Sequence, residues 1–194
     1  MSSGTPTPHL RLCPPPASSP SAVAHIAPDL PTPLTIERLF VEYAGYVATV
    51  VLRVLGRDHE VDDVVQEVFL DAMSGLRAIQ SPAAVRGWLK TIAVRKACRH
   101  LRKRRLRAFL GLDHDCCYEH IADPGCGPEE RALLGRVYRQ LDTLPVGDRV
   151  AWTLRHVDGE PLESIATLCG CSLATVKRRI SAAQAVLERK LRHG

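Results

Sequence analysis

The sequence lacks a long uninterrupted apolar run. No stretch approaches the ~20 apolar residues that a membrane-crossing helix needs, and residues 1–20 lack the basic start and apolar core of a secretory signal. We therefore expect no membrane insertion and a cytoplasmic location. The seven cysteines are an odd number, so a framework of disulfide bonds is not expected in that compartment.

Alternating strand patterns and internal repeats are also missing. Instead, apolar residues recur at three- and four-residue steps from Ile36 onward, as at Val61, Val64 and Val68. This spacing is typical of amphipathic helices and predicts an all-α protein. Nine of the fourteen prolines lie in 1–33, among many Ser, Thr and Ala, which indicates a disordered Pro-rich extension.

Changes in composition divide the rest of the chain into two small helical domains. Glycine and proline interrupt the helical pattern between 108 and 128, so we interpret 108–128 as a flexible linker. The first domain is then 34–107 and the second 129–194. We expect the apolar stripes of their helices to face a core, with Phe40 and Met73 included.

Charge is distributed unevenly along the first domain. Between 58 and 71 there are six acidic residues and no Lys or Arg, whereas 86–107 has ten basic residues and no acid. Such a separation indicates two different partners, one of them anionic.

The strongest local motif lies in 162–180 and predicts a helix-turn-helix. Gly170 permits the left-handed backbone of a tight turn, Ser172 can cap the next helix, and Val176 and Ile180 fall one turn apart, toward the core. The outer face would then enter a major groove of duplex DNA. Its candidate DNA-binding residues are Ser172, Thr175, Lys177, Arg178 and Arg179. The alternative is a solvated basic face on a small helical bundle.

The acidic and basic helices each permit more than one interpretation. The acidic helix is consistent with a solvated face, or with a metal pair at Asp63 and Glu67, although no His or Cys ligand joins them at fitting spacing. In the basic helix, arginines beside Trp88 suit a DNA strand that is being opened. Trp88 also lies on the apolar stripe, so packing in the core is the alternative.

Together, three motifs resemble the extracytoplasmic-function (ECF) group of the sigma-70 family of bacterial sigma factors. They are the acidic helix 62–69, the segment 86–93 that leads into the basic run, and the helix-turn-helix that ends at 175–180. The resemblance covers 36–107 and 129–192. The order and spacing of the three motifs are specific, whereas any one of them alone is not.

This resemblance implies a role for each segment. Domain 34–107 would be sigma region 2, and 129–194 would be region 4, whose recognition helix reads the minus-thirty-five promoter element. Docking on core RNA polymerase would fall to Asp62, Asp63, Gln66 and Glu67. Capture and opening of the minus-ten element, which requires unstacking of a base, would fall to Arg77, Ser81, Arg86, Trp88, Lys90, Arg95 and Arg99. The resemblance thus implies a non-catalytic initiation factor without a cofactor, whose partners are core polymerase and promoter DNA.

Two features depart from the family's pattern. Ser181, Ala182 and Ala183 stand where many relatives carry a further basic residue, which affects promoter specificity. The linker also carries an unusual set of potential zinc ligands or redox sensors, although their spacing matches no standard zinc pattern. They are His114, Cys116, Cys117, His120 and Cys126.

Two rival functions and one further partner stay open at this point. A stand-alone helix-turn-helix regulator would bind palindromic duplex without polymerase, although no spare dimerisation helix is visible. A nucleic-acid enzyme that uses Asp63 and Glu67 would show metal-dependent turnover. Relatives are often held inactive by an anti-sigma protein, but no residue of this sequence indicates one.

Overall fold

The computed structural model describes residues 35–76, 79, 81–112 and 127–192. Within these ranges the chain forms seven helices and no strand, which confirms the all-α prediction. The helices are α1 (Ile36–Leu55), α2 (Val61–Gly75), α3 (Pro82–Phe109), α4 (Pro128–Asp142), α5 (Val146–His156), α6 (Leu162–Cys169) and α7 (Leu173–Arg192). None of these described helices combines the length and the apolar content needed to cross a membrane. The predicted Pro-rich extension lies outside the described residues.

The ends of α1 and the start of α3 carry residues with capping chemistry. Thr35 Oγ1 accepts a hydrogen bond from the Arg38 N–H at the start of α1. At the other end, Gly56 adopts φ 69° and donates its N–H to Leu52 O at 2.7 Å, a left-handed ending that glycine takes without strain. Pro82 opens α3, where its missing N–H has no helical partner to lose.

Two helix groups correspond to the two predicted domains. Helices α1, α2 and α3 pack together through a valine-rich core that includes Val47, Val64 and Val68, all almost completely buried. Helices α4, α5 and α7 surround a second cluster built on Tyr138 and Leu141. In both groups the buried positions follow the helical period of the sequence.

The two groups also share a core with each other. The cluster that contains Val47 and Leu89 continues into Val150 and Leu154 of α5 and Ile165 of α6. Helices α1 and α3 therefore contact α5, and α3 contacts α6. No periodicity or motif in the sequence predicts this packing of one group against the other.

Two predicted core residues are exposed instead. The Phe40 side chain is 47% exposed, and its ring meets Phe69 edge-on at a centroid distance of 5.0 Å. Met73 is 56% exposed, and Leu70, three residues earlier on α2, is 65% exposed. Both residues lie at the margin of an apolar stripe, where the helical period cannot distinguish a core position from the edge of a surface patch.

Candidate nucleic-acid interface and partner surface

Helices α6 and α7 form the predicted helix-turn-helix. Gly170 has φ 60°, and the Cys171 N–H donates to Ala166 O at 3.0 Å, which closes the turn after α6. Ser172 Oγ then accepts from the Thr175 N–H at 3.2 Å, so the predicted cap of α7 is confirmed. Val176 is fully buried, which fixes the rotation of α7 and determines which residues lie on its outer side.

Lys177 and Arg178 project from the outer side of α7, and both are exposed. Thr175 is half-buried and shares a hydrogen bond of 2.9 Å with the exposed Ser172 hydroxyl. These four residues give the start of α7 a polar and basic surface. This surface has the composition that a helix needs to contact phosphates and base edges in a major groove.

Arg179 departs from the expected outer position. It is half-buried, its Nη1 donates to Cys171 Sγ at 3.5 Å, and its guanidinium covers Gly147 so closely that an added Cβ there would lie 2.9 Å from Cζ. The reason is helical geometry, because Arg179 follows the buried Val176 by three residues and so lies on the flank of the core. The structure separates it from Lys177 and Arg178.

Most of the predicted minus-ten residues lie along the exposed side of α3. Arg95, Arg99 and Ser81 are exposed. Arg86 is also exposed, and its guanidinium stacks over the Tyr46 ring at 4.4 Å from the centroid, a cation–π contact that orients the side chain. Arg77 lies outside the described residues.

Trp88 is half-buried and packs against α2. A Cβ added to Gly75 would lie only 2.8 Å from Trp88 Cζ2, so this indole needs a glycine opposite it. The contact accounts for a packing role, and the part of the ring that stays exposed is compatible with a DNA contact. Both interpretations of Trp88 from the sequence therefore stay open.

Lys90 is the predicted DNA residue whose surroundings differ most from expectation. Its Nζ donates to Asp158 and Glu160, on the turn between α5 and α6, and Asp158 also accepts from Arg53 Nη1 at 2.7 Å. Burial lowers the pKa of Lys90, but the hydrogen bonds to the two carboxylates outweigh it and raise that pKa. In this arrangement Lys90 is committed to the second helix group and is not available to DNA.

The predicted docking residues lie on one side of α2. Asp62, Asp63 and Gln66 are exposed, whereas Glu67 is half-buried, with Oε2 at 3.5 Å from Lys96 Nζ. The exposed Leu70 and Met73 continue the same helix toward its C-terminal end. Sequence reasoning assigned Met73 to the core and so missed that the acidic surface borders an apolar one, as a protein-binding surface often does.

The Cys/His set of the linker lies outside the described residues. In the described part of the chain, no three His, Cys, Asp or Glu side chains converge to hold a metal ion. Cys98, Cys169 and Cys171 are free and half-buried there. Burial raises the pKa of Cys98, and it raises that of Cys169 to about 12, so both thiols are packing groups that resist ionisation at neutral pH.

Sequence reasoning also missed a cluster of arginines between the helix groups. Asp142, at the end of α4, accepts hydrogen bonds from Arg57, Arg104 and Arg149, and Glu60 accepts from Arg104 Nη1 at 3.0 Å. These five residues come from three separate parts of the sequence, 57–60, 104 and 142–149, so local patterns do not pair them across the parts. Glu60 and Arg104 belong to the acidic and basic stretches seen in the sequence, but nothing there indicated their partners.

Comparison with known protein families identifies both helix groups. The family model described as Sigma-70 region 2 matches residues 39–107, from Leu39 in α1 to Arg107 in α3. The model described as Sigma-70, region 4 matches 134–185, which includes α5, α6 and the first part of α7. The two models occur in the same order as the two helix groups.

The individual proteins that the chain resembles are also RNA polymerase sigma factors. The chain is 30% identical over 162 residues to the ECF RNA polymerase sigma-E factor of Escherichia coli strain K12, a match that covers 79% of this chain and 84% of that protein. It is 32% identical over 134 residues to the probable RNA polymerase sigma factor RfaY of Xanthomonas campestris pv. campestris, and there it covers 67% of this chain but only 34% of the relative.

Two solved structures share the fold. One is the sigma factor RpoE of Bartonella quintana in complex with the anti-sigma factor NepR, with a TM-score of 0.61, 22% identity and coverage of 80% of this chain and 96% of that one. The other is CnrH in complex with the cytosolic domain of CnrY, with a TM-score of 0.53, 25% identity and coverage of 81% and 88%.

Proposed function

The chain belongs to the sigma-70 family of RNA polymerase sigma factors, in the ECF group, and on that premise we propose how its surfaces share the recognition of a promoter. It is an alternative sigma factor that directs transcription initiation, and its partners are core RNA polymerase and promoter DNA. The chain supplies binding and positioning, while nucleotide addition belongs to the polymerase. This function places it in the cytoplasm, with the DNA and the polymerase.

The start of α7 reads the minus-thirty-five element in this proposal. The supporting observation is the exposed pair Lys177 and Arg178 on a helix whose rotation is fixed by buried Val176. Ser172 and Thr175 add hydroxyl donors at the same helix end. Arg179 lies on the flank and would contribute less unless it leaves Cys171.

An experiment on α7 separates base reading from general charge. Lys177→Ala and Arg178→Ala should each weaken promoter-specific transcription with core polymerase, by about 1–3 kcal/mol where a base edge is read. The matched control is Arg189→Ala, which removes an exposed charge from the last turns of the same helix. Equal losses in Arg189→Ala and Arg178→Ala would contradict the assignment, because they would show only a general charge effect.

Helix α3 holds the opened minus-ten element in the same proposal. Arg86, Arg95, Arg99 and Ser81 are exposed in the described structure, and Trp88 has an exposed part that an unstacked base could contact. Arg77 belongs to the proposal from sequence alone. Lys90 joins this set only after its ion pairs with Asp158 and Glu160 break, so a contact of Lys90 with the minus-ten element requires the two helix groups to separate.

The exposed side of α2 docks on core polymerase. Asp62, Asp63 and Gln66 are free of tertiary hydrogen bonds within the described structure, whereas Glu67 is drawn toward Lys96, so the first three carry the main contact. Asp63→Lys should prevent capture of core polymerase in a pull-down. Glu188→Lys, on α7, makes the same charge change on another exposed acid and should leave capture intact. Capture of core by Asp63→Lys at wild-type strength would refute this docking surface.

An anti-sigma protein is a third proposed partner. The support is fold similarity to the Bartonella sigma factor that was solved with one. The sequence also left open a stand-alone regulator, which membership of the sigma-70 family disfavours. It predicts tight duplex binding without polymerase, which a gel-shift assay with the purified chain would detect.

A further inference from the structure

An arginine-lined cavity of about 110 Å³ lies where the two helix groups meet. Four arginines line it together with Asp142 and apolar side chains. Arg57, Arg104 and Arg105 come from the first group, and Arg149 comes from α5 of the second. Neither the family models nor the promoter-binding surfaces account for this concentration of guanidinium groups.

Arg149 is the most deeply placed of the four. Its side chain is 2% exposed, Nη1 donates to Asp142, and Nη2 donates to Leu55 O at 2.6 Å and Val54 O at 3.2 Å. Its Nε, also buried, has no hydrogen-bond partner among the described residues. A buried donor left without an acceptor is unfavourable by about 1–3 kcal/mol, so the Arg149 guanidinium is an incompletely satisfied cation beside the cavity.

Arg105 and Arg104 approach the cavity from α3. Arg105 Nη1 donates to Leu144 O at 2.9 Å, which leaves its other guanidinium nitrogen atoms for a ligand. Arg104 is buried, with Nη1 at 3.0 Å from Glu60 Oε2 and Nη2 at 2.5 Å from Asp142 Oδ1. Together with Arg149 of α5, these guanidinium groups of α3 surround one small space.

The positive charge at this junction exceeds the negative charge of its described neighbours. With Arg57 and its contacts set aside, Arg104, Arg105 and Arg149 still outnumber the two carboxylates of Asp142 and Glu60. Burial, with the like charges of Arg104 and Arg57, lowers the pKa of Arg149 to about 9. Arg104 and Arg149 are buried and paired with Asp142 and Glu60, whereas Arg105, exposed at the edge of the cavity, has no carboxylate partner among the described residues, so an anion at this edge would pair with it.

We propose that this cavity binds a phosphate-class anion, either free or as the terminal phosphate of a small nucleotide, held by Arg149 and Arg105 from opposite helix groups. A guanidinium matches two phosphate oxygens at once. The volume accommodates several groups of water size, at about 30 Å³ each, which is enough for a phosphate group but not for a base and sugar as well. A bound anion would join α3 to α5 and stabilise the packed arrangement of the two groups.

Calorimetric titration of the full chain tests the proposal, with inorganic phosphate, pyrophosphate and ATP as probes at constant ionic strength. Wild type should bind pyrophosphate, and its Tm should be higher in pyrophosphate than in chloride at the same ionic strength. Arg105→Gln should weaken that binding roughly tenfold, because it removes a charged donor at the exposed edge of the cavity. Arg107→Gln removes an exposed arginine two residues away, outside the cavity lining, and should change nothing.

Asp142→Asn should change the affinity for pyrophosphate in the opposite direction from Arg105→Gln. It keeps the size of the side chain but removes the carboxylate that competes with a ligand for three arginines, so pyrophosphate should bind more tightly. General loss of structure would weaken binding in both Arg105→Gln and Asp142→Asn, and therefore does not reproduce the predicted pair of results. ATP binding tighter than pyrophosphate would identify a nucleotide as the source, and equal binding would identify a free anion.

Two results would overturn the proposal. One is the absence of phosphate, pyrophosphate and ATP binding to wild type beyond the chloride control. The other is equal weakening in Arg105→Gln and Arg107→Gln, which would mean that only the net positive charge matters. Neither measurement uses core polymerase or promoter DNA, so its outcome is independent of the proposed promoter recognition.

Discussion

At the scale of single residues, the junction between the helix groups depends on two acids. Glu60 accepts from Arg104 and lies 3.3 Å from His100 Nε2. Burial raises its pKa, but the hydrogen bond from His100 and the charge of Arg104 outweigh burial and lower it to about 2. The ionised form of Glu60 is therefore the one that stabilises the fold.

The pH dependence of stability follows from the lowered pKa of Glu60. In the unfolded chain a glutamate has a pKa of about 4.3, so Glu60 stabilises the fold above that pH and loses this effect as the pH falls toward 2. After allowance for solvent screening we expect about 1–2 kcal/mol at pH 6. Urea unfolding of wild type and Glu60→Gln should differ by this amount at pH 6, by about half of it at pH 3 and by little at pH 2, while Glu37→Gln, at an exposed position, should match wild type. A difference between wild type and Glu60→Gln that does not change with pH would contradict this role.

Asp142 holds three arginines and should matter more for stability than any exposed acid. Asp142→Ala leaves Arg57, Arg104 and Arg149 without their shared carboxylate, and loss of one partner from a buried ion network costs about 3–5 kcal/mol. The measurement is the free energy of unfolding in urea, with the exposed Asp62→Ala as the control. A loss below about 1 kcal/mol would mean that the arginines find other partners.

At the scale of helices and turns, most of the fold could be predicted from the sequence. Apolar periodicity predicted the all-α class, and the turn glycine Gly170 and the Ser172 cap could be recognised because their chemistry is local. Periodicity failed at Phe40 and Met73. At the edge of an apolar helix face, the burial of a side chain depends on how closely the neighbouring helices pack, and periodicity does not show this. Arg179 was assigned to the outer face for the same reason.

Two glycines that end helices should respond very differently to substitution. Gly170 and Gly56 both have positive φ, but no atom lies within 4 Å of a Cβ at Gly170, whereas a Cβ at Gly56 would lie 2.3 Å from the buried Tyr138 ring. Gly170→Ala should destabilise the fold by about 1–2 kcal/mol from backbone strain alone. Gly56→Ala adds overpacking and should exceed 3 kcal/mol, about the sum of both effects. Equal losses in urea unfolding would contradict the predicted close contact with Tyr138.

At the scale of the whole molecule, the packing of the two helix groups against each other could not be predicted from the sequence. It depends on pairs such as Lys90 with Asp158, which are 68 residues apart, and on apolar contacts between α3 and α6 whose residues look like ordinary core positions within their own group. The same limit applies to the candidate site. The basic surface of α7 was visible locally, whereas the engagement of Lys90 with the second group was not.

The Asp158 carboxylate should hold the groups together. It is buried between Lys90 and Arg53, so Asp158→Lys would place a third cation there and drive the groups apart. Small-angle scattering should show an increased radius of gyration for Asp158→Lys. Glu163→Lys, at an exposed acid of α6, should scatter like wild type, and an unchanged radius in Asp158→Lys would show that apolar packing alone maintains the arrangement.

The most direct test of the central claim is run-off transcription on a genomic library with purified core RNA polymerase, with and without this chain. We predict discrete promoter-specific transcripts only when both are present, and mapped upstream sequences that share a bipartite minus-thirty-five and minus-ten pattern. If the chain adds no specific transcript to core polymerase, yet binds duplex DNA tightly by itself, it is a stand-alone regulator and the assignment of its surfaces to initiation is wrong.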